Sequence, residues 1–208
     1  SRAPAWAGWL ACRLSRRKPR FLTTFHGVYS HGNGFKRTYN SVMLKAPVVV
    51  ANSAFIRDHI ISVYGFPADR IILSPRGVDT TLFDPAEVSD EQRASVREDL
   101  GAESGAPLVT IVGRITDWKG HRYLVEAADR AANKAWHLAI VGSGNEGVIA
   151  NLKALVAERG LGSRITIAGS RRDIPAIMAA SDLVVSTSTR PEAFGRVAIE
   201  AEVMGTPV

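Results

Sequence analysis

Glu192 and Glu200 stand eight residues apart in the run Glu192-Ala193-Phe194-Gly195-Arg196-Val197-Ala198-Ile199-Glu200, shortly after the apolar Leu183-Val184-Val185. A strand ending near Ser186 would hand the chain to a loop. Gly195 lets the backbone approach a ligand as a helix opens, and the unpaired N–H groups of that first turn, with those near Phe194, receive an anion. At about 100° per residue, eight helical steps leave two side chains roughly 80° apart, and the loop adds freedom to converge further. Glu192 on the loop and Glu200 in the helix can therefore face one ligand. The pair reads as a sugar-nucleotide site.

Other loops carry groups that suit the same ligand. Gly113-Arg114-Ile115-Thr116-Asp117-Trp118-Lys119-Gly120 sets two cations five residues apart between an apolar run and a helical pattern. Arg114 offers a fork of donors to phosphate oxygens, Lys119 a mobile point charge, and the following helix its N-terminal dipole, a combination fitted to diphosphate. In Thr23-Thr24-Phe25-His26-Gly27 a strand ends in a histidine, and His26 can hydrogen-bond a substrate hydroxyl or transfer a proton. Gly169-Ser170-Arg171-Arg172-Asp173-Ile174-Pro175 is a polar loop whose Arg171 and Arg172 can contact a nucleobase; a solvated loop capped by Asp173 accounts for it equally well. Gly142-Ser143-Gly144-Asn145-Glu146-Gly147 has the glycine spacing of a dinucleotide fingerprint. However, Ile165-Thr166-Ile167-Ala168-Gly169 lacks the acid that should follow about 20 residues later to hold a ribose. The better reading there is a turn that lets a neighbouring ligand or chain come close.

The elements that must position these groups alternate along the chain. Strands are expected at Phe21 to Phe25, Pro47 to Ala51 and Arg70 to Leu73, with helices at Phe35 to Lys45 and Ser53 to Tyr64. After a polar stretch from Asp84 to Pro107, which resembles a connector with one helix, the alternation becomes cleaner. Strands at Leu108 to Val112, Trp136 to Val141, Arg164 to Ala168 and Asp182 to Ser186 are interleaved with helices at His121 to Ala132, Asn145 to Arg159, Ile174 to Ala180 and around Glu200. Near-continuous apolar strands separated by helices imply a parallel sheet covered on both faces, an α/β fold with ligands at the carboxyl ends of the strands. We place one partial Rossmann-like domain at residues 1–85 and a second at 86–208. Thr206-Pro207-Val208 resembles the start of a further strand, and the first half holds few strands for a doubly wound sheet, so a fragment of a longer protein is expected.

Composition sets outer limits. The 208 residues are 46% hydrophobic and 22% charged, an ordinary globular balance. A single cysteine, Cys12, excludes an internal disulfide and a multi-cysteine metal site. No apolar stretch approaches the ~20 residues of a membrane span. The net charge of +6 is uneven: Arg13, Arg16, Arg17, Lys18 and Arg20 crowd together just after Trp6, Trp9 and Leu10. Such a segment suits either peripheral contact with an anionic membrane surface or a solvated helix end, whereas no nucleic-acid-binding motif accompanies it.

In this order and spacing, His26-Gly27, Ala51-Asn52-Ser53, Arg76-Gly77-Val78-Asp79 with Phe83, Gly113-Arg114 with Lys119-Gly120, Gly142-Ser143-Gly144 and the E-x7-E pair resemble the retaining glycosyltransferases of family 4, often called group 1. The resemblance covers the chain from about Phe21 onward. It implies the GT-B fold of two Rossmann-like domains, both incomplete in this chain. It also implies a nucleotide-diphosphate sugar as donor with no cofactor and no metal, and transfer of a hexose to an acceptor hydroxyl with retention through an oxocarbenium-like ion pair. By the same resemblance Arg114 and Lys119, with Phe194 and Gly195, hold the donor diphosphate, Glu200 the ribose, and Glu192 the transferred sugar, while His26 belongs to the acceptor domain and faces the donor sugar. A glycan or lipid-linked acceptor in lipopolysaccharide or another envelope glycan is expected, in the cytoplasm or at the inner face of a membrane. Relatives often carry Asn where this chain has Arg76. The 208 residues alone are expected to turn over weakly or not at all. A sugar-nucleotide epimerase, a phosphorylase of similar fold, and a noncatalytic sugar-nucleotide-binding fragment stay open as alternatives.

Overall fold

The computed structural model describes residues 2–29, 32–131 and 135–208. The chain divides into two compact units, the first running through Gly77 and including Glu192–Phe194, the second comprising Val78–Pro191 and Gly195–Val208.

The first unit opens with helix α1 (Arg2–Leu14) and continues through β1 (Thr23–Phe25), α2 (Gly34–Asn40), β2 (Val49–Ala51), α3 (Ala54–Tyr64) and β3 (Ile71–Leu73). Its strands form a parallel sheet in the order β1-β2-β3, with Phe25 opposite Ala51 and Ala51 opposite Leu73. The helix expected from Phe35 to Lys45 stops at Asn40, and Ser41–Lys45 tightens into a 3₁₀ turn. Val42 and Met43 in that turn are buried beside Phe25 and Val49, which favours the tighter winding. Ser53 caps α3 by accepting from Ile56 N at 3.1 Å, as its type and place suggest. Gly65 closes α3 at φ 65°.

Trp6 and Trp9 are half-buried rather than fully exposed. They pack against the core built on Phe25, Val49 and Ile60, Trp6 Nε1 donates to the Tyr39 carbonyl at 3.0 Å, and the Lys45 ammonium lies 4.5 Å from the Trp9 ring. The exposed side of α1 keeps Leu10 and Leu14, with Arg13, Arg16, Arg17, Lys18 and Arg20 all exposed.

The second unit holds α4 (Asp90–Asp99), β4 (Leu108–Val112), α5 (His121–Arg130), β5 (His137–Val141), α6 (Glu146–Glu158), β6 (Ile165–Gly169), α7 (Ile174–Ala180), β7 (Leu183–Val184) and α8 (Arg196–Val203). Ala132, taken from the sequence as the end of α5, lies outside the described residues. All four strands are parallel, in the order β6-β5-β4-β7. Leu138, Ile140 and Val125 lead one core cluster. Leu100, Leu108, Val141 and Ile177 lead another.

The polar segment that resembles a connector is instead part of this unit. Val96 and Leu100 of α4 are buried in the second cluster, and the polar face is used just as fully. Arg97 Nη1 donates to the Ala180 carbonyl at 2.7 Å and to Asp182 Oδ2 at 3.0 Å, and Arg93 donates to the Ala179 carbonyl. These charge-assisted bonds satisfy carbonyls left open at the end of α7. A helix with few apolar residues is thereby fastened through guanidinium groups as well as through Val96 and Leu100.

Candidate functional site

The sheet of the second unit reverses its winding at β4, since β5 and β6 lie on one side of it and β7 on the other. Where strand order reverses in an open parallel sheet, a crevice opens outside the carboxyl ends of the strands. The two connections leaving that point are β4 to α5, which carries Arg114 and Lys119, and β7 to α8, which carries Glu192, Phe194 and Gly195 and leads to Glu200.

Both helices that follow begin at a left-handed glycine without a side-chain cap. Gly120 stands at φ 74° before α5 and Gly195 at φ 78° before α8. By contrast α2, α3, α4 and α6 are capped by Asn33, Ser53, Ser89 and Asn145. α7 also lacks a cap, its Asp173 being bound by Arg171. Uncapped first turns leave N–H groups and dipole ends available to an anion. Beyond its own chain neighbours nothing lies within 4 Å of where a Cβ on Gly195 would stand, so the space beside the backbone there is open.

The first loop is held in shape by its neighbours. Gly113 N donates to the Val141 carbonyl at 2.9 Å and Ile115 N to the Ser143 carbonyl at 2.8 Å. A Cβ on Gly142 would stand 1.8 Å from the Gly113 carbonyl oxygen, one on Gly144 2.3 Å from that of Ile115, and one on Gly120 2.0 Å from that of Thr187. The glycines of Gly142-Ser143-Gly144 thus serve close passage of a neighbouring chain segment, as expected. On the other side Thr187 Oγ1 donates to the Lys119 carbonyl and Thr189 N to the Trp118 carbonyl. Lys119 Nζ rests 4.8 Å from the Trp118 ring centroid, and Arg114 is exposed.

Glu200 lies in α8 at 6% exposure and accepts from Arg196 Nη2, one turn earlier, at 2.5 Å. A carboxylate has roughly four lone-pair positions, so one guanidinium bond leaves capacity for hydroxyls. Arg171 grips Asp173 through Nε at 2.8 Å and Nη2 at 2.6 Å and also reaches Asp99. Its pKa is raised by the Asp173 bond. Arg172 on the same loop is exposed.

In the first unit, His26 follows β1 at the carboxyl edge of the sheet, exposed. Arg76 Nη2 meets its Nδ1 at 2.8 Å. Partial burial and then the Arg76 charge hold the imidazole pKa below its usual value. Sequence reasoning placed Arg76 only as a departure from the family pattern; its arginine fork across two strands from a histidine was the available signal. Glu192 and Phe194 cluster with this unit, whereas Arg114, Lys119, Gly195 and Glu200 belong to the second.

The family model for glycosyl transferases group 1 matches residues 92–208, and that for glycosyltransferase family 4 matches residues 1–82. The chain belongs to the group 1 glycosyltransferases. This group 1 glycosyltransferase is 35% identical over 176 residues to a D-inositol 3-phosphate glycosyltransferase of Nocardia farcinica, an alignment covering 80% of this chain and 38% of that protein. The crystal structure of a glycosyltransferase from Rickettsia africae superposes with a TM-score of 0.87 at 38% identity, covering 99% of this chain and 54% of that one. The Anabaena protein HepE in complex with UDP and glucose gives a TM-score of 0.88 at 28% identity, covering 100% of this chain and 56% of that one. The fold is therefore α/β of the GT-B type, and the group 1 chain spans a little over half the length of these two solved relatives and 38% of the Nocardia protein.

Proposed function

We propose that the protein containing this chain transfers a hexose from a nucleotide-diphosphate sugar to an acceptor hydroxyl with retention of anomeric configuration. The observation that carries this reading is the pair of uncapped helix starts at the β4 switch point, flanked by Arg114, Lys119 and Glu200. Arg114, Lys119 and the N–H groups at Phe194 and Gly195 take the diphosphate and stabilise the charge that grows on it as its bond to the anomeric carbon breaks. Glu200 accepts from the ribose hydroxyls, Glu192 contacts the transferred sugar, and His26 hydrogen-bonds a substrate oxygen. Arg171 and Arg172 border the base. The acceptor oxygen bonds the anomeric carbon as its proton passes to the departing phosphate. Positive charge comes from the protein, so no metal or cofactor is required.

Thermal-shift titration of the chain with UDP-, GDP- and ADP-sugars tests the donor assignment, since a ligand that binds the folded state raises stability with its concentration. The R114A/K119A double variant is expected to lose most of that shift, with EDTA leaving the wild-type response unchanged. A response equal in variant and wild type would remove the diphosphate assignment. Retention is tested on the full-length protein by NMR of the product anomer; inversion would overturn it.

The acceptor we place among lipid-linked envelope glycans, lipopolysaccharide included, reached at the inner face of a membrane. The exposed cations Arg13, Arg16, Arg17, Lys18 and Arg20 support this. Since Trp6 and Trp9 are engaged in the protein's own packing, contact with lipid would fall to these cations with Leu10 and Leu14. Flotation with vesicles containing anionic lipid is expected for wild type and lost on charge reversal at Arg16, Arg17 and Lys18. Equal flotation would remove the membrane role. The name of the Nocardia relative favours a second reading, a small phosphorylated cyclitol as acceptor, and an acceptor panel with the full-length protein separates the two.

A further inference from the structure

We propose that Arg76 is a positioning residue that makes Nδ1 of His26 an obligatory hydrogen-bond acceptor, so that the ring meets substrate only as an Nε2–H donor. Arginine has five N–H donors and no acceptor. At 2.8 Å from Arg76 Nη2, Nδ1 must therefore be the unprotonated nitrogen, and the neutral ring carries its proton on Nε2. Of the two roles open to His26, donating to a substrate oxygen and taking a proton from one, the contact selects the first.

The topology explains how the contact forms. β1 and β3 flank β2 in register, Phe25 and Leu73 both pairing through Ala51, so the two outer strands stand about 10 Å apart, twice the usual strand spacing. His26 is the first residue beyond β1. Beyond β3 the chain stays extended, with Ser74 N donating to the Ala51 carbonyl at 2.9 Å. Arg76 then comes next to a bare Gly77, near which no atom approaches a Cβ position within 4 Å. A side chain crossing the end of β2 must be long and must finish in a donor. Arginine meets both conditions, while Asn at this position is too short for the same bridge.

Partial desolvation and then the Arg76 charge both favour the neutral ring. Protonation at Nδ1 would break the bond outright and set two cations against each other. The inference depends on the proposed transferase reading only in giving the Nε2–H a substrate oxygen to meet; the tautomer itself is a property of the ligand-free chain.

Long-range ¹H–¹⁵N correlation spectra of the ¹⁵N-labelled 208-residue chain, recorded without ligand through a pH titration, provide the test. His26 is expected as a single Nε2–H tautomer. In R76A, Nδ1–H population should appear and the titration midpoint of His26 should move upward. R76Q, neutral, polar and too short to span β2, serves as the second variant should the alanine disturb the turn, and is expected to raise the midpoint as well. An Nδ1–H ring in wild type, or a tautomer and midpoint that neither variant alters, would overturn the proposal. None of these outcomes bears on the transferase reading, which stands or falls on sugar-nucleotide binding.

Discussion

Among the described residues Glu200 is the only buried carboxylate. An unpaired carboxylate at that depth would be costly, so its charge is shared with Arg196, which is itself 55% exposed in its side chain. This arrangement separates two roles that a single substitution would otherwise confuse. E200Q keeps the shape and one acceptor oxygen but removes the charge, and is expected to weaken sugar-nucleotide binding about tenfold, or ~1.4 kcal/mol, with little change in unfolding midpoint. R196A leaves the carboxylate buried without its partner and is expected to cost on the order of 1 kcal/mol of stability, read by urea denaturation. Equal affinity of E200Q and wild type in calorimetric titration would remove Glu200 from the ribose role.

At the level of elements, the three strand-end segments of the second unit interlock through glycines too close to a neighbouring carbonyl for any side chain. G142A would place a Cβ 1.8 Å from the Gly113 oxygen at a φ of 151°, and is expected to cost about 3 kcal/mol or more. G160A, at φ 63° with no atom within 4 Å of the new Cβ, should cost only ~1 kcal/mol. Comparable denaturation midpoints for the two would show that the stitching between loops contributes nothing. Much of this layer is legible in the sequence, because apolar runs such as His137 to Val141 and strand-end glycines at 113, 142 and 169 follow from local rules. What is not legible depends on partners distant in sequence. α4 reads as a connector because its attachment uses Arg93 and Arg97 on carbonyls more than 80 residues away. That Trp6 and Trp9 of α1 pack on the protein's own core is not legible either, because their partners, Tyr39 and Lys45, lie beyond the basic segment. The spacing of Glu192 and Glu200 was visible, but not the Arg196 bond that occupies one of them. Nor does spacing show that Glu192–Phe194 groups with the first unit.

For the whole molecule, His121 and His137, both 5% exposed or less, have pKa values lowered mainly by burial. Each binds a proton more readily unfolded, near the ordinary value of about 6.5, than folded. The unfolded state thus holds more protons at acid pH, and the stability these groups contribute is complete above about pH 6.5 and lost as pH falls below it. Denaturation midpoints between pH 5 and 8 are expected to decline on the acid side by up to ~1.4 kcal/mol per pH unit for each such histidine, and H121L should flatten that decline by one proton's worth. An unchanged slope in H121L would mean that another group sets it. Asp173, held below the usual carboxylate value chiefly by its bond to Arg171, contributes at a lower pH and so does not mask this window. The stitched carboxyl edge also bears on heat. Its amides at Gly113, Ile115 and Gly142 are already bonded between segments, so little chain entropy remains to be lost when a nucleotide arrives. Isothermal calorimetry should accordingly show a heat-capacity change set by the apolar area that ligand and preformed site bury against each other, without the larger negative value that accompanies a loop folding around its guest.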